Sequence, residues 1–270
     1  MARDGFPAPY WQDMTTTDFD PAVTGDWIAV LPVAAIEQHG PHLPVATDTA
    51  IGKGMVEATI ALLPESLPAT FLPMQQVGKS NEHISSPGTL THSWETVTRS
   101  WIELGESVHR AGIGKLVLIN SHGGNVPIID IVARELRVRF DMLCVATGWM
   151  RFGLPEGSYD PQERIYGIHG CDVETSIMLH LRPDLVRMDK AEDFRSTQLD
   201  YLQEFKHLRA HGPAQFGWKA QDLNVAGTVG NAATATAQKG RAIVSHQAES
   251  FVELLDDVNR FDPSRLWSAP

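Results

Sequence analysis

Lys115-Leu116-Val117-Leu118-Ile119-Asn120-Ser121-His122-Gly123-Gly124-Asn125 passes from an unbroken apolar run into a histidine and paired glycines, and a helical pattern then runs from Val126 to Phe140. A short apolar run bounded by turn residues suits a strand buried on both faces, the kind found in parallel sheets whose crossovers are helices. Strand, glycine turn and helix make half of a βαβ unit, so the stretch points to an α/β fold. Gly123-Gly124 permits close backbone approach but lacks the spacing of a dinucleotide fingerprint or a phosphate loop. Ser121 beside His122 is not framed as a Gly-x-Ser-x-Gly nucleophile elbow, which argues against a serine hydrolase.

Upstream, Trp27-Ile28-Ala29-Val30-Leu31 reads as a second buried strand, followed by Pro32-Val33-Ala34-Ala35-Ile36-Glu37-Gln38-His39-Gly40-Pro41-His42. Side chains two apart in an extended segment point the same way, so Glu37 and His39 bring a carboxylate and an imidazole toward one point. Asp48 lies nine residues on, where the N-cap of a helix through Ala50–Ile60 would fall. Taken singly, Asp48 reads equally as a plain helix cap, and Glu37 and His39 as exposed loop residues. Ligands in open α/β sheets bind outside the carboxyl ends of strands, which is where the Glu37–His39 pair and His122 both fall. A third cluster, His169-Gly170-Cys171-Asp172-Val173-Glu174, leads into the apolar spacing of Ile177–Leu181. A carboxylate in a first helical turn is favoured by the helix dipole alone. In a functional reading Glu174 is a further metal ligand, and His169 a general acid or base or a substrate clamp.

The remaining elements fill out the architecture. Ser93 to Ala111 has helical spacing and supplies a crossover, Met142 to Thr147 and the region near Ala69 to Pro73 read as strands, and Ala233 to Arg260 reads as a long amphipathic helix. Glu82-His83 falls in a loop and reads as pocket lining or second-layer support. From about Asp189 to Leu223 no clear period appears, and a subunit interface, a pocket wall and a surface excursion are all compatible with it. No linker divides the chain, so residues 1–270 are expected to form one domain.

Together these segments resemble the creatininase, or creatinine amidohydrolase, family. The resemblance rests on Glu37-Gln38-His39-Gly40-Pro41-His42-Leu43-Pro44 with Thr47-Asp48-Thr49, on Pro87-Gly88-Thr89, and on Ser121-His122-Gly123-Gly124-Asn125. It rests also on His169 with Glu174-Thr175-Ser176, and on Gly227-Thr228-Val229-Gly230 before Ala235-Thr236-Ala237-Gln238-Lys239-Gly240. The resemblance implies a three-layer α/β/α sandwich with a mostly parallel sheet, a binuclear metal site at its edge, and hydrolysis of a carbon–nitrogen bond in a cyclic amide, amidine or formamide. It implies that Glu37 and His122 bind one metal, His39 the other, that Asp48 bridges them, and that His169 is the catalytic histidine. It further implies a homo-oligomer, commonly a hexamer, acting on a small-molecule substrate.

Two departures stand out. Creatininase proper carries a metal-binding glutamate two residues after the histidine of its Asn-x-His motif, whereas this chain has Gly124. Glu174 is then expected to complete the second site. Ile165 stands where creatininase has a flap tryptophan, while Trp149 matches another pocket tryptophan. With His83, Gly123 and Gly124, Trp149 is expected to contact substrate. Relatives of the Gly-Gly form include formamidopyrimidine deformylases, enzymes of peptide-cofactor maturation and hydrolases that open oxidised inositol rings, so ring opening of an oxidised cyclitol is an alternative. A metal-dependent binding protein without catalysis is another.

Two divalent ions bring four positive charges, against three negatives from Glu37, Asp48 and Glu174, which leaves one for a hydroxide. A metal-bound water can have its pKa lowered to about 7. Mixed nitrogen and oxygen ligands suit zinc first, with manganese or iron as alternatives. The formal net charge of −11 over 270 residues disfavours nonspecific binding to nucleic acid or to anionic membrane. No apolar run reaches a membrane span, the start carries no secretory signal, and two cysteines make no disulfide framework, so the expected location is cytoplasmic.

Overall fold

The computed structural model describes residues 5–157 and 163–267; Met1-Ala2-Arg3-Asp4, at the start read above for a secretory signal, lies outside them. In chain order the elements are α1 (Pro21–Thr24), β1 (Ile28–Val33), α2 (Thr47–Leu62), β2 (Ala69–Phe71), α3 (Trp94–Arg110), β3 (Lys115–Asn120), α4 (Val126–Phe140) and β4 (Leu143–Gly148). There follow α5 (Glu163–Tyr166), α6 (Asp172–Leu181), β5 (Asp193–Phe194), α7 (Gln198–Glu204), α8 (Ala220–Leu223), β6 (Gly230–Asn231) and α9 (Ala237–Arg260). The principal sheet has the order β2-β1-β3-β4 with every neighbouring pair parallel, and β1 aligns with β3 from Ile28 opposite Lys115 to Val33 opposite Asn120. β5 and β6 form a small antiparallel pair.

Alternation along each strand divides the core into two layers. Ile28, Val30, Val117 and Ile119 face α2, α6 and α9, packing on Met55, Ile177, Ile243 and Phe251. Ala29, Leu31, Leu116 and Leu118 face α3 and α4, packing on Trp101, Val108, Ile129 and Leu136. Burying one such large side chain contributes about 1.5–3 kcal/mol, which is why strands apolar on both faces demand helices on both. The expected α/β/α sandwich is what forms.

Element ends moved where capping chemistry decides. Ser93 and Ala111, read as helical, are the caps of α3, with Ser93 Oγ accepting from Thr96 N. α9 begins at Ala237 because Thr236 caps it, its side chain accepting from Lys239 N, and Ala232–Thr234 forms a separate 3-10 turn. Asp48 is not an N-cap: α2 starts one residue before it, Ala46 holds the cap position, and the Asp48 carboxylate is left for other partners.

Candidate metal centre and active site

The carboxyl ends of β1 and β3 lie side by side, and the segments leaving them converge. Glu37 is pinned by its N–H donating to Val45 O at 2.8 Å and by a bridge between Ile36 and Leu90. Gly40 turns with φ +71°, and a Cβ there would lie 2.5 Å from Thr228 Cγ2, so the turn carrying His39 needs glycine. Beyond β3, Asn120 Oδ1 accepts from His122 N at 3.0 Å and also from Asn125 Nδ2 at 3.2 Å, which locks the direction of His122. Asp48 enters from the first turn of α2, and Glu174 from the first turn of α6.

These five side chains meet. His39 Nε2 lies 3.3 Å from Asp48 Oδ1 and 4.0 Å from both Glu37 Oε1 and Glu174 Oε2. His122 Nδ1 lies 3.2 Å from Glu37 Oε1 and 3.3 Å from Asp48 Oδ2. One Asp48 oxygen thus faces each histidine. His169 Nδ1 stands 3.5 Å from Glu37 Oε1. The three rings share one device: His39 Nδ1–H donates to Glu37 O at 3.0 Å, His122 Nε2–H to Lys79 O at 2.9 Å, and His169 Nε2–H to Gln38 O at 2.6 Å. Each backbone carbonyl fixes a tautomer and leaves the other nitrogen turned toward the carboxylates.

Glu37 Oε1, His39 Nε2 and Asp48 Oδ2 are buried with no hydrogen-bond partner. Buried polar atoms are ordinarily paired, and a group of acceptors facing one space fits a cation there. Glu37, His39 and His169, and separately His39, Asp48 and Glu174, place donor atoms within 4.8 Å of one another. The electrostatics of the metal-free site agree. Burial disfavours charge on His39, yet Asp48, Glu174 and Glu37 overcome it and hold the ring's pKa up at about 10. Burial, with Asp48 and Glu37, pushes Glu174 up to about 7 against the pull of His39 and Gly170 N–H. The pocket favours positive charge among its carboxylates. His169 is different: burial first, then the neighbouring His39 and His83, holds it well below the usual histidine range, so its ring is neutral.

Sequence reasoning passed over Gln38, which sits between two recognised positions. Its Nε2 donates to His83 Nδ1 at 2.8 Å and to Gly227 O at 2.5 Å, and its Oε1 accepts from Gly40 N at 3.0 Å. His83 stacks on His169 with centroids 4.2 Å apart and turns Nε2 to Glu37 Oε1 at 3.5 Å. His42, in the same motif, is not part of the cluster: its Nε2 meets Thr175 Oγ1 at 3.0 Å and its ring stacks on Phe194.

The cluster opens into a cavity of about 890 Å³. Gly123, Gly124 and His83 line it, as do Phe216 and Trp218, which places part of the 189–223 stretch as a pocket wall. Trp149 lines a separate chamber of about 210 Å³ that shares His122 and Glu174 with the cavity, and packs edge-on against Phe251. Ile165 is exposed.

The family model for creatininase, described as creatinine amidohydrolase, matches residues 12–255. The chain belongs to the creatininase family. This family member is 31% identical over 237 residues to the mycofactocin precursor peptide peptidase of Mycobacterium ulcerans, covering 86% of this chain and 83% of the relative. It is 30% identical over 254 residues to the creatinine amidohydrolase of Pseudomonas putida, covering 86% and 90%. A solved creatininase mutant of zinc–zinc type shares the fold with a TM-score of 0.73 at 24% identity, covering 94% of this chain and all of that one. Fold and site architecture together are those of a metal-dependent hydrolase, with buried His and Glu clusters that fit a binuclear divalent-metal centre.

Proposed function

We propose that this creatininase-family chain hydrolyses a carbon–nitrogen bond of the amide type with two divalent metal ions. Glu37, His122 and Asp48 would hold one ion, and His39, Asp48 and Glu174 the other, with Asp48 bridging. The observation that carries the reading is the set of partnerless buried atoms, Glu37 Oε1, His39 Nε2 and Asp48 Oδ2, at the carboxyl ends of adjacent strands. When bound, such ions supply hydroxide near neutral pH and polarise a carbonyl. His169, neutral and with Nε2–H committed to Gln38 O, has Nδ1 free to take a proton and pass it to the departing nitrogen. Gln38 and His83 keep that ring from turning. Zinc is the first choice of metal, in keeping with the zinc–zinc relative, with manganese or iron as alternatives.

The cavity bears on the substrate. About 890 Å³ with Phe216 and Trp218 in its wall suits a drug-sized molecule or the end of a peptide, rather than a bare ring such as creatinine. An amide within a larger molecule is therefore favoured, and the peptidase relative supports it. Zinc-loaded protein offered creatinine, cyclic amides, formamides, oxidised cyclitols and short peptides should release a new amine, formate or ammonia from at least one of the nitrogen-containing set. Release of a chain carboxylate from the cyclitols alone, without nitrogen loss, would move the reaction to a carbon–carbon bond.

The reading carries with it a homo-oligomer, with a hexamer expected, and a cytoplasmic setting, supported by the free thiols Cys144 and Cys171. Among the described residues no helix is long and apolar enough to cross a membrane. Sedimentation would measure the assembly.

A further inference from the structure

The turn Lys79–His83 backs the metal centre from outside the recognised motifs. Lys79 O accepts from His122 Nε2–H at 2.9 Å, Ser80 Oγ donates to Glu37 Oε2, and Ser80 Oγ lies 3.2 Å from His122 Nε2. Glu82 Oε1 stands 3.5 Å from the same nitrogen. The turn is itself held, with Lys79 N donating to Asn125 Oδ1 at 2.9 Å and Ser80 N to Thr91 Oγ1 at 2.8 Å. His122 therefore has carboxylates on both sides of its ring, Glu37 and Asp48 at Nδ1 and Glu82 at Nε2.

Gly124 explains how Glu82 gets there. A Cβ built on Gly124 would lie 2.2 Å from Glu82 Oε1, 2.5 Å from His122 Nε2 and 2.5 Å from Lys79 O. No side chain at 124 can coexist with this turn in its present place. Glycine at 124 and the Glu82 carboxylate behind His122 are two parts of one arrangement.

We propose that Glu82 is a positioning residue for the metal centre, its carboxylate set beside the Nε2–H that Lys79 O accepts and raising the strength of His122 as a ligand from the space that Gly124 leaves open. The proposal rests on the binuclear reading above. A carboxylate on the far nitrogen of a metal-binding imidazole fixes the ring and increases electron donation at the near one, and losing such a partner costs 10–100-fold in metal affinity. Its effect should fall on the ion held by His122 and leave the ion held by His39 and Glu174 nearly unchanged.

The test is a zinc titration of metal-free wild type and Glu82→Gln, in competition with a chromophoric chelator, together with melting of both metal-free proteins. Glutamine keeps the size of the side chain and removes its charge. The expected result is two zinc ions on wild type, and in the variant a loss of about 10–100-fold at one ion and less than about threefold at the other, whatever the change in metal-free melting temperature. Equal zinc affinities in the two proteins would overturn the proposal. So would a parallel loss at both ions with a lowered melting temperature, which marks a folding role. Wild type that binds neither zinc nor manganese would instead overturn the binuclear reading, and this proposal with it.

Discussion

Asp48 Oδ1 stands 3.3 Å from His39 Nε2, with both side chains almost wholly buried. Because the other oxygen faces His122 at the same distance, a single carboxylate spans both halves of the site. Asp48→Asn keeps the shape and removes the shared charge. Metal content should fall from two ions per chain to fewer than one, and turnover to background, as read by elemental analysis of dialysed protein. Retention of two ions would show that Asp48 bridges nothing.

The metal-free site should lose stability as pH rises past neutral. His39, held at about 10 by Asp48, Glu174 and Glu37 against burial, adds stability that is complete below its unfolded value of 6.5 and disappears as pH climbs toward 10. Glu174 is a carboxyl raised to about 7 from 4.5, so its ionisation in the folded chain also costs stability, between about pH 4.5 and 7. Both effects have one sign. Melting in chelator should fall from about pH 7 to pH 9 as His39 loses its proton, whereas below about pH 6.5 the buried neutral His169 and His42 oppose the trend. Added zinc should flatten the profile, because the ions replace the protons.

The parts of this molecule legible in sequence were those with local causes. Val126–Phe140 was read to the residue because apolar spacing, a proline at its start and Asp141 beyond its end agree. The convergence of Glu37, His39 and His122 followed from strand ends, and that of Glu174 from the family resemblance alone. Only the cap position at Asp48 fails, since Ala46 holds it; the bridging place of Asp48 was legible through the resemblance alone, because its partners, His39 and His122, come from other segments. Gln38 was missed for a related reason: its three partners, His83, Gly227 and Gly40, are mostly remote in sequence, and an amide carries no motif of its own. Phe216 and Trp218 belong to a stretch with little regular structure, so periodicity had nothing to report until the wall could be seen.

His169→Ala should separate chemistry from metal retention. The ring's Nδ1 is the proton acceptor in the proposed reaction, and removing a positioned acid or base costs about 10²–10⁴-fold in turnover. The metal count should stay at two, because Asp48, Glu37, Glu174, His39 and His122 all remain. Turnover measured on zinc-loaded protein checks this, and a variant as active as wild type would remove His169 from the mechanism.

Gly240→Ala reaches the site through the helix packing beneath it. α6 and α9 approach so closely that a Cβ on Gly240 would lie 1.9 Å from Ser176 O and 2.4 Å from Ser176 C. Those atoms are backbone, so no side-chain rotation relieves the clash and the helices must separate. Overpacking of this kind costs about 1–3 kcal/mol, and a chain near this size loses about 2–4 °C of melting temperature for each. Ser176 is two residues from Glu174 on α6, so the same displacement draws the Glu174 carboxylate away from His39, now 4.0 Å distant. The variant should therefore melt lower and also hold one zinc more weakly, with the ion at Glu37 and His122 retained. Calorimetry and zinc titration on the same preparation read both effects, and a stability loss without any change at the metal would uncouple the α6–α9 contact from the site.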